Sequence, residues 1–304
     1  MPREMCMKRL FRLLVVLLAC VYCFACDALT PRGATPPSTR HARIKNVIVM
    51  IGDGMGPQQL GLLVTYAHHA PHSVYEPMGG QTALERVMEA GTLGYARSEA
   101  ADALVTDSGA SSTQMASGQW AGAQMIGFDR NGHVVKTIVE IAEEMGKSTG
   151  LVTDTCITHA TPAGFAAHQT HRSKQDKIAL DLLNSGVDVM LGGGLEWWIP
   201  QEANDPASEA YGELVQRTGG TIEIRSERQD SRDLLTEAGA RGLAVCFNRS
   251  QLEQASGDRI LGLFAYYKLM NGIRETRTKE DPYRSIPTLK EMTQKALHVQ
   301  SRNP

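Results

Sequence analysis

Three short stretches of the sequence carry side chains of the kinds that hold cations and anions. The first is Gly52-Asp53-Gly54, a carboxylate between glycines, where a backbone can approach a ligand closely and the acid offers hard oxygens to a metal ion. An isolated Gly-Asp-Gly is also an ordinary turn, and both readings stand at this point. The second is VTDSGASST, Val105 to Thr113. If Ser108 opens a helix, the unpaired amides and the positive end of the dipole favour a phosphate at its hydroxyl. Thr106, Asp107 or Ser108 equally serves as a plain helix cap. The third is THATPAG, Thr158 to Gly164, with His168, His171 and Arg172 further on. In an extended segment His159 and Thr161 alternate onto one side and turn toward the same ion or its waters. Arg172 offers a planar fork that matches phosphate oxygens. Taken singly, His168 and His171, and likewise His68 and His69, read as surface or hydrogen-bonded core histidines, and Arg172 as half of a surface ion pair.

Other chemistries fit poorly. GDGMG lacks the spacing of a dinucleotide loop, and a carboxylate in that cradle would repel a pyrophosphate. The nucleophile elbow G-x-S-x-G is absent, which disfavours a serine-hydrolase site. A formal net charge of -2, with scattered lysines and arginines, gives no basic field for nucleic acid, so that class of partner is set aside.

These stretches need elements to position them. With 304 residues and 42% hydrophobic content, the chain is long enough to bury a sizeable core. Asn46 to Ile51 reads as a strand buried on both faces, ending in the Gly52-Asp53-Gly54 turn, with a helix from Pro57. Ile138, Ile141, Ala142 and Met145 make one apolar helical face closed by Gly146, before a strand from Gly150 to Ile157. Ile178, Ala179, Leu182 and Leu183 repeat the pattern, closed by Gly186 before a strand at Val187 to Leu191, and Gly242 to Phe247 reads as one more. Trp197 to Arg241, polar and weakly periodic, reads as an excursion from the sheet. The alternation predicts an α/β fold, a mostly parallel central sheet with helices on both faces and ligands at the carboxyl ends of the strands.

The first residues differ from this body. Arg3, Lys8, Arg9 and Arg12 precede an apolar run from Leu13 to Cys26, the order of an export signal, assigned to residues 1–26. The run is short for a spanning helix, which wants about 20 apolar residues. Leu17-Leu18-Ala19-Cys20 resembles a bacterial lipobox, with Cys20 or Cys26 as the lipid acceptor; cysteine as a small hydrophobe is the other reading. The expected location is thus exported, either periplasmic or lipid-anchored at the cell envelope. Residues 27–42 read as a flexible linker, rich in Pro, Thr, Gly and Ser, and residues 43–304 as one folded domain. Of six cysteines only Cys156 and Cys246 lie in that domain, read as buried free thiols.

IGDGMG from Ile51, VTDSGASST from Val105, and HATPAG from His159 followed by Arg172 together resemble the signatures of the alkaline phosphatase family, in the family's order. The resemblance runs from about Lys45 to the end of the chain and takes in GLFAYYKLMNGIRETRTKEDPYRSIPTLKEMTQKAL. It implies hydrolysis of small-molecule phosphate monoesters at a site holding Zn2+ and Mg2+, commonly in a homodimer. By this resemblance Ser108 is the nucleophile that becomes transiently phosphorylated, Arg172 grips two phosphoryl oxygens, and Asp107 positions Arg172. Asp53 is expected to bridge a zinc and a magnesium ion, and Thr161 to be a magnesium ligand. His159 stands where some relatives have an aspartate and others a histidine. Neutral imidazole suits hard magnesium less well than a carboxylate, so His159 is expected to reach the ion through water or to favour a softer metal.

In the family, the stretch similar to SIPTLKEMTQKAL is followed by a strand and loops that carry another magnesium-binding glutamate and the remaining aspartate and histidine ligands of both zincs. Here only His298 to Pro304 follows Leu297. The expectation is a truncated domain, inactive alone, with an open sheet edge and a complementing carboxy-terminal half as a partner. The other class is non-catalytic, a phosphate-binding pseudoenzyme or a decayed remnant.

Overall fold

The computed structural model describes residues 44–70, 80–270, 272–278, 281 and 284–303. The expected export signal, its candidate lipid acceptors Cys20 and Cys26, and the linker lie outside the described residues. The chain divides after Gly52 into two units. In the first, Asn46 to Ile51 forms no strand, and Val47, Ile48, Val49 and Met50 are exposed, contrary to the buried strand that its composition suggests. An apolar run becomes a buried strand only where neighbours take up its amides and carbonyls, and no ladder among the described residues includes this one.

The second unit opens with helices α1 (Pro57–His69), α2 (Ala83–Ala90), α3 (Ser108–Ser117) and α4 (Ile138–Glu144). Strand β1 (Gly150–Cys156) leads into the short helical turn α5 (Ala160–Ala163), then α6 (Gln175–Asn184) and β2 (Val189–Gly193). After α7 (Glu209–Thr218) and α8 (Leu234–Ala240) come β3 (Ala244–Cys246), α9 (Arg249–Gln254) and β4 (Ile260–Leu263). Helices α10 (Gly272–Thr278) and α11 (Leu289–Gln300) follow. The sheet has the order β1-β2-β4-β3 with every pairing parallel. The α/β architecture read from the sequence is therefore present. β4, at Ile260 to Leu263, is an interior strand that the sequence reading passed over.

Side chains alternate across this sheet and divide the core in two. Met190, Leu261 and Leu263 point to one face and pack with Ile178, Ala179 and Leu182 of α6 and Leu234, Leu235 and Ala238 of α8. Val189, Leu191 and Ile260 point to the other and pack with Leu252 of α9 and Met292, Ala296 and Val299 of α11. Each valine, leucine, isoleucine or methionine among them contributes about 1.5–3 kcal/mol by leaving water, and each alanine less. Cys156 and Cys246 are buried free thiols, as expected.

One expectation is extended and one needs correction. Residues 197–241 contain no strand, as an excursion from the sheet requires, and Trp198, Ile199, Leu214, Leu234 and Leu235 within them are buried in the core. Arg228, 1% exposed, ties this region down through a bidentate pair with Asp230 and bonds from its Nη1 to the carbonyls of Asp176 and Trp197, each 3.1 Å. Asp230, one of the polar residues of this region, and two backbone carbonyls thus satisfy a buried guanidinium. Helix α4 forms where read, but Ile138, Ile141 and Met145 of its apolar face are exposed, and Val139 is the side chain packed on the core. Polar ties set this orientation: the Thr137–Glu140 capping box and the His168 Nε2 contact to Glu140 Oε1 at 3.0 Å.

Met292→Ala, which empties a fully buried position of α11, is expected to cost about 2–5 kcal/mol in chemical denaturation. Leu289→Ala, on the exposed side of the same helix, is expected to cost under about 0.5 kcal/mol. Equal losses would contradict the packing of α11 on this face.

Candidate active site

Ser108 is the first residue of α3, and Asp107 is its N-cap. The Asp107 carboxylate accepts the Gly109 amide at 2.8 Å and the Ala110 amide at 3.3 Å. Of the alternatives left open in the sequence, Asp107 is the helix cap, and Ser108 follows it as the first helical residue. Asp107 Oδ2 also accepts Arg172 Nη1 at 3.0 Å, so the guanidinium is held beside the opening turn of the serine helix. Burial pushes the Asp107 carboxyl up, but the amides of Gln124 and Gly109, the Arg172 guanidinium and the Ala110 amide outweigh it and hold it below the usual aspartate value.

Asp53 sits in a turn completed by Gly54 at φ +67°, a conformation that glycine adopts freely. Its carboxylate receives the Ser108 hydroxyl, with Oγ 3.0 Å from each oxygen, and Thr161 Oγ1 donates to Oδ2 at 2.7 Å. Asp53, Ser108 and Thr161, far apart in sequence, therefore meet at one carboxylate. Thr161 arrives on α5, a helical turn and not the extended segment expected. Pro162 is tolerated there because a first turn leaves its amides unpaired. Serine helix and turn are joined by Ser112 Oγ, which donates to the Ala160 carbonyl at 2.8 Å.

His159 is the N-cap of this helical turn, two residues before Thr161. His159 Nδ1 lies 2.6 Å from Thr155 Oγ1 and Nε2 lies 3.1 Å from the Tyr267 hydroxyl, with the Tyr267 ring edge-on at 5.4 Å. Both ring nitrogens are thus engaged by the protein. Burial, followed by the charge of Arg172, pushes the His159 pKa down against the opposing pull of Asp53, which favours neutral imidazole. His159 follows the end of β1 and Tyr267 the end of β4, so both lie at the carboxyl ends of strands. His168 and His171 take the bland roles: His168 Nδ1 meets the Gly127 carbonyl at 3.0 Å, and His171 Nδ1 meets Ser173 Oγ at 2.8 Å. His68 Nε2 pairs with Glu85 at 3.1 Å.

The donors at Asp53 are oxygens, one carboxylate and two hydroxyls, a set that suits magnesium. Zinc normally takes three protein ligands, and among the described residues no group of three or more His, Cys, Asp or Glu is arranged to hold a metal. The described residues fit part of a magnesium site and only one corner of a zinc site. Sequence reasoning missed Tyr267, Thr155 and Gln124. Reading Ile260 to Leu263 as a strand would have directed attention to Tyr267; Gln124 acts through its backbone and leaves no signal in residue type.

The sequence profile described as Alkaline phosphatase matches residues 44–304. Alkaline phosphatase 3 of Bacillus subtilis (strain 168) is 32% identical over 260 residues, which cover 84% of this chain and 47% of that protein. The structure of cold-active alkaline phosphatase from the psychrophile Shewanella sp. matches with a TM-score of 0.62 at 30% identity, over 83% of this chain and 52% of the other. The Thermus thermophilus alkaline phosphatase matches with a TM-score of 0.66 at 26% identity, over 83% and 46%. The chain spans about half the length of the relatives it matches.

The depressed Asp107 pKa fixes the sign of a pH effect. Its stabilising contribution is fully present above the unfolded value near pH 4 and is lost as pH falls through the lower folded value. Asp107→Asn is therefore expected to flatten the acid limb of a stability–pH curve below about pH 4. An equally steep limb in the variant would contradict this network.

Proposed function

Because the chain belongs to the alkaline phosphatase family, we propose that it supplies the nucleophile and the phosphate grip for hydrolysis of small phosphate monoesters through a phosphoserine at Ser108. The observation that carries this reading is the Ser108 hydroxyl at a helix amino terminus, bonded to Asp53, with Arg172 held next to it by Asp107.

With its hydrogen directed at Asp53, Ser108 Oγ keeps a lone pair for the incoming phosphorus. Arg172 uses one Nη1 bond on Asp107, and its remaining donors are available to two phosphoryl oxygens, opposite in charge. The positive end of α3 adds to that field. Attack forms the Ser108–phosphorus bond as the bond from phosphorus to the leaving oxygen breaks, and the serine proton ends on the leaving alcohol; water then adds to phosphorus as the Ser108–phosphorus bond breaks, one of its protons returning to Ser108 and the other leaving with phosphate. A loose transition state asks for alignment and charge more than covalent help, which is what these fixed groups provide. Mg2+ would be held by Asp53 and Thr161 and would add positive charge for the phosphoryl oxygens. The resemblance also implies Zn2+, for which Asp53 is the single matched ligand here; the others would come from outside the described residues. His159, with both ring nitrogens engaged, would meet a cation through water.

The leader at residues 1–26 supports an exported location, periplasmic or lipid-anchored, and the partners in this proposal are a second copy or a complementing carboxy-terminal half. A phosphate-binding role without turnover is the second reading, favoured by the lack of a three-ligand group among the described residues.

Assay of a chromogenic phosphate monoester with zinc and magnesium separates these. The chain alone is expected to show no Ser108-dependent turnover. Co-expressed with the carboxy-terminal half of a relative, it is expected to turn over, and Ser108→Ala to lower that rate by at least about 10³-fold. Turnover that survives Ser108→Ala would overturn the proposal, and phosphate binding without turnover in the complemented form would favour the second reading.

A further inference from the structure

Asp107 and Arg172 are joined twice, once directly and once through Gln124. The Gln124 amide donates to Asp107 Oδ1 at 2.8 Å, and the Gln124 carbonyl accepts the Arg172 amide at 2.8 Å. Arg172 Nη1 closes the ring on Asp107 Oδ2 at 3.0 Å. Gln124 makes both bonds with its backbone, at φ +64°, and is the only non-glycine residue at positive φ among the described residues. Such a conformation in a residue with a side chain persists only when its surroundings over-determine it. They do so here. On one side Ile126 forms an antiparallel bridge to Gln169, and Thr113 Oγ1 donates to the Met125 carbonyl at 3.3 Å. On the other the turn lies directly on α3: a Cβ at Gly109 would stand 3.0 Å from the Met125 carbonyl oxygen and 3.3 Å from the Gln124 carbonyl carbon.

We infer that Gln124 is a positioning residue of the phosphate grip, using its left-handed backbone to lock the Arg172 main chain to the Asp107 carboxylate so that the guanidinium is already set when a phosphate arrives. This rests on the reading of Arg172 as the phosphate-binding arginine. Gln124 need not touch the ligand. Its contribution is to remove the motion that Arg172 would otherwise lose on binding.

The test is titration of inorganic phosphate into the full chain by calorimetry, with an unfolding midpoint for every variant. Gln124→Val, whose branched side chain disfavours positive φ, is expected to weaken phosphate about tenfold. Gln124→Gly, which adopts that φ freely, is expected to bind within about twofold of the parent. In an Arg172→Ala background, Gln124→Val is expected to have no further effect, because position 124 acts through the arginine. Should Gln124→Val fail to fold, Gln124→Ala makes the same comparison with a loss of about threefold. An unchanged affinity at position 124, or an equal loss in both backgrounds, would overturn the inference alone. An Arg172→Ala variant that binds phosphate like the parent would overturn the arginine grip, and this inference with it.

Discussion

One carboxylate organises the site. Asp107 caps the helix that Ser108 opens, anchors the guanidinium of Arg172, and takes up the backbone amide of Gln124. Its side chain is 16% exposed and that of Arg172 is 29% exposed, so solvent screens the pair only in part. An exposed ion pair contributes about 0–1 kcal/mol and an N-cap about 1 kcal/mol, so neither dominates the stability of the fold. What the shared carboxylate supplies is alignment. The opening turn of the helix that begins at Ser108 and the Arg172 guanidinium are referred to the same two oxygen atoms.

A second carboxylate completes the arrangement from the other side. Asp53 gathers the hydroxyls of Ser108 and Thr161, which brings together the Gly54 turn, α3 and the α5 turn. The hydroxyl of Ser108 thus faces one fixed anion while the helix end beneath it is favourable to another. That division suits the proposed phosphoserine route, in which the serine exchanges its hydrogen-bond partner for a phosphorus atom. His159 is tied by its two ring nitrogens to Thr155 and Tyr267, which fix the imidazole at the ends of β1 and β4.

The sequence carried most of the α/β alternation. Periodicity located α4 and α6, and β1, β2 and β3 fall within a few residues of the apolar runs that suggested them. The interior strand β4 escaped because Gly262 breaks its run, and in the sheet that glycine has a packing role. A Cβ there would overlap the Phe264 ring and stand 2.7 Å from Leu191 Cδ2. Asn46 to Ile51 errs the other way, an apolar run without a ladder among the described residues. In the site, short local motifs singled out residues whose chemistry is in their side chains, and the structure brings Ser108 and Thr161 to Asp53 and Arg172 to Asp107, with His159 tied to Thr155 and Tyr267. Tyr267 reaches His159 across 108 positions of sequence, and Gln124 works through its amide and carbonyl. Neither kind of role is written in residue type.

The central claim is that Ser108, Asp53 and Arg172 surround one phosphoryl position. A crystal structure of the chain with vanadate, a tetrahedral analogue that serine oxygens bind covalently, tests it most directly. The account predicts vanadium bonded to Ser108 Oγ, two vanadate oxygens on the Arg172 guanidinium, and Asp107 still bridging that guanidinium to the α3 amides. Vanadate bound elsewhere, or Arg172 swung away from Asp107 with Ser108 unengaged, would contradict it.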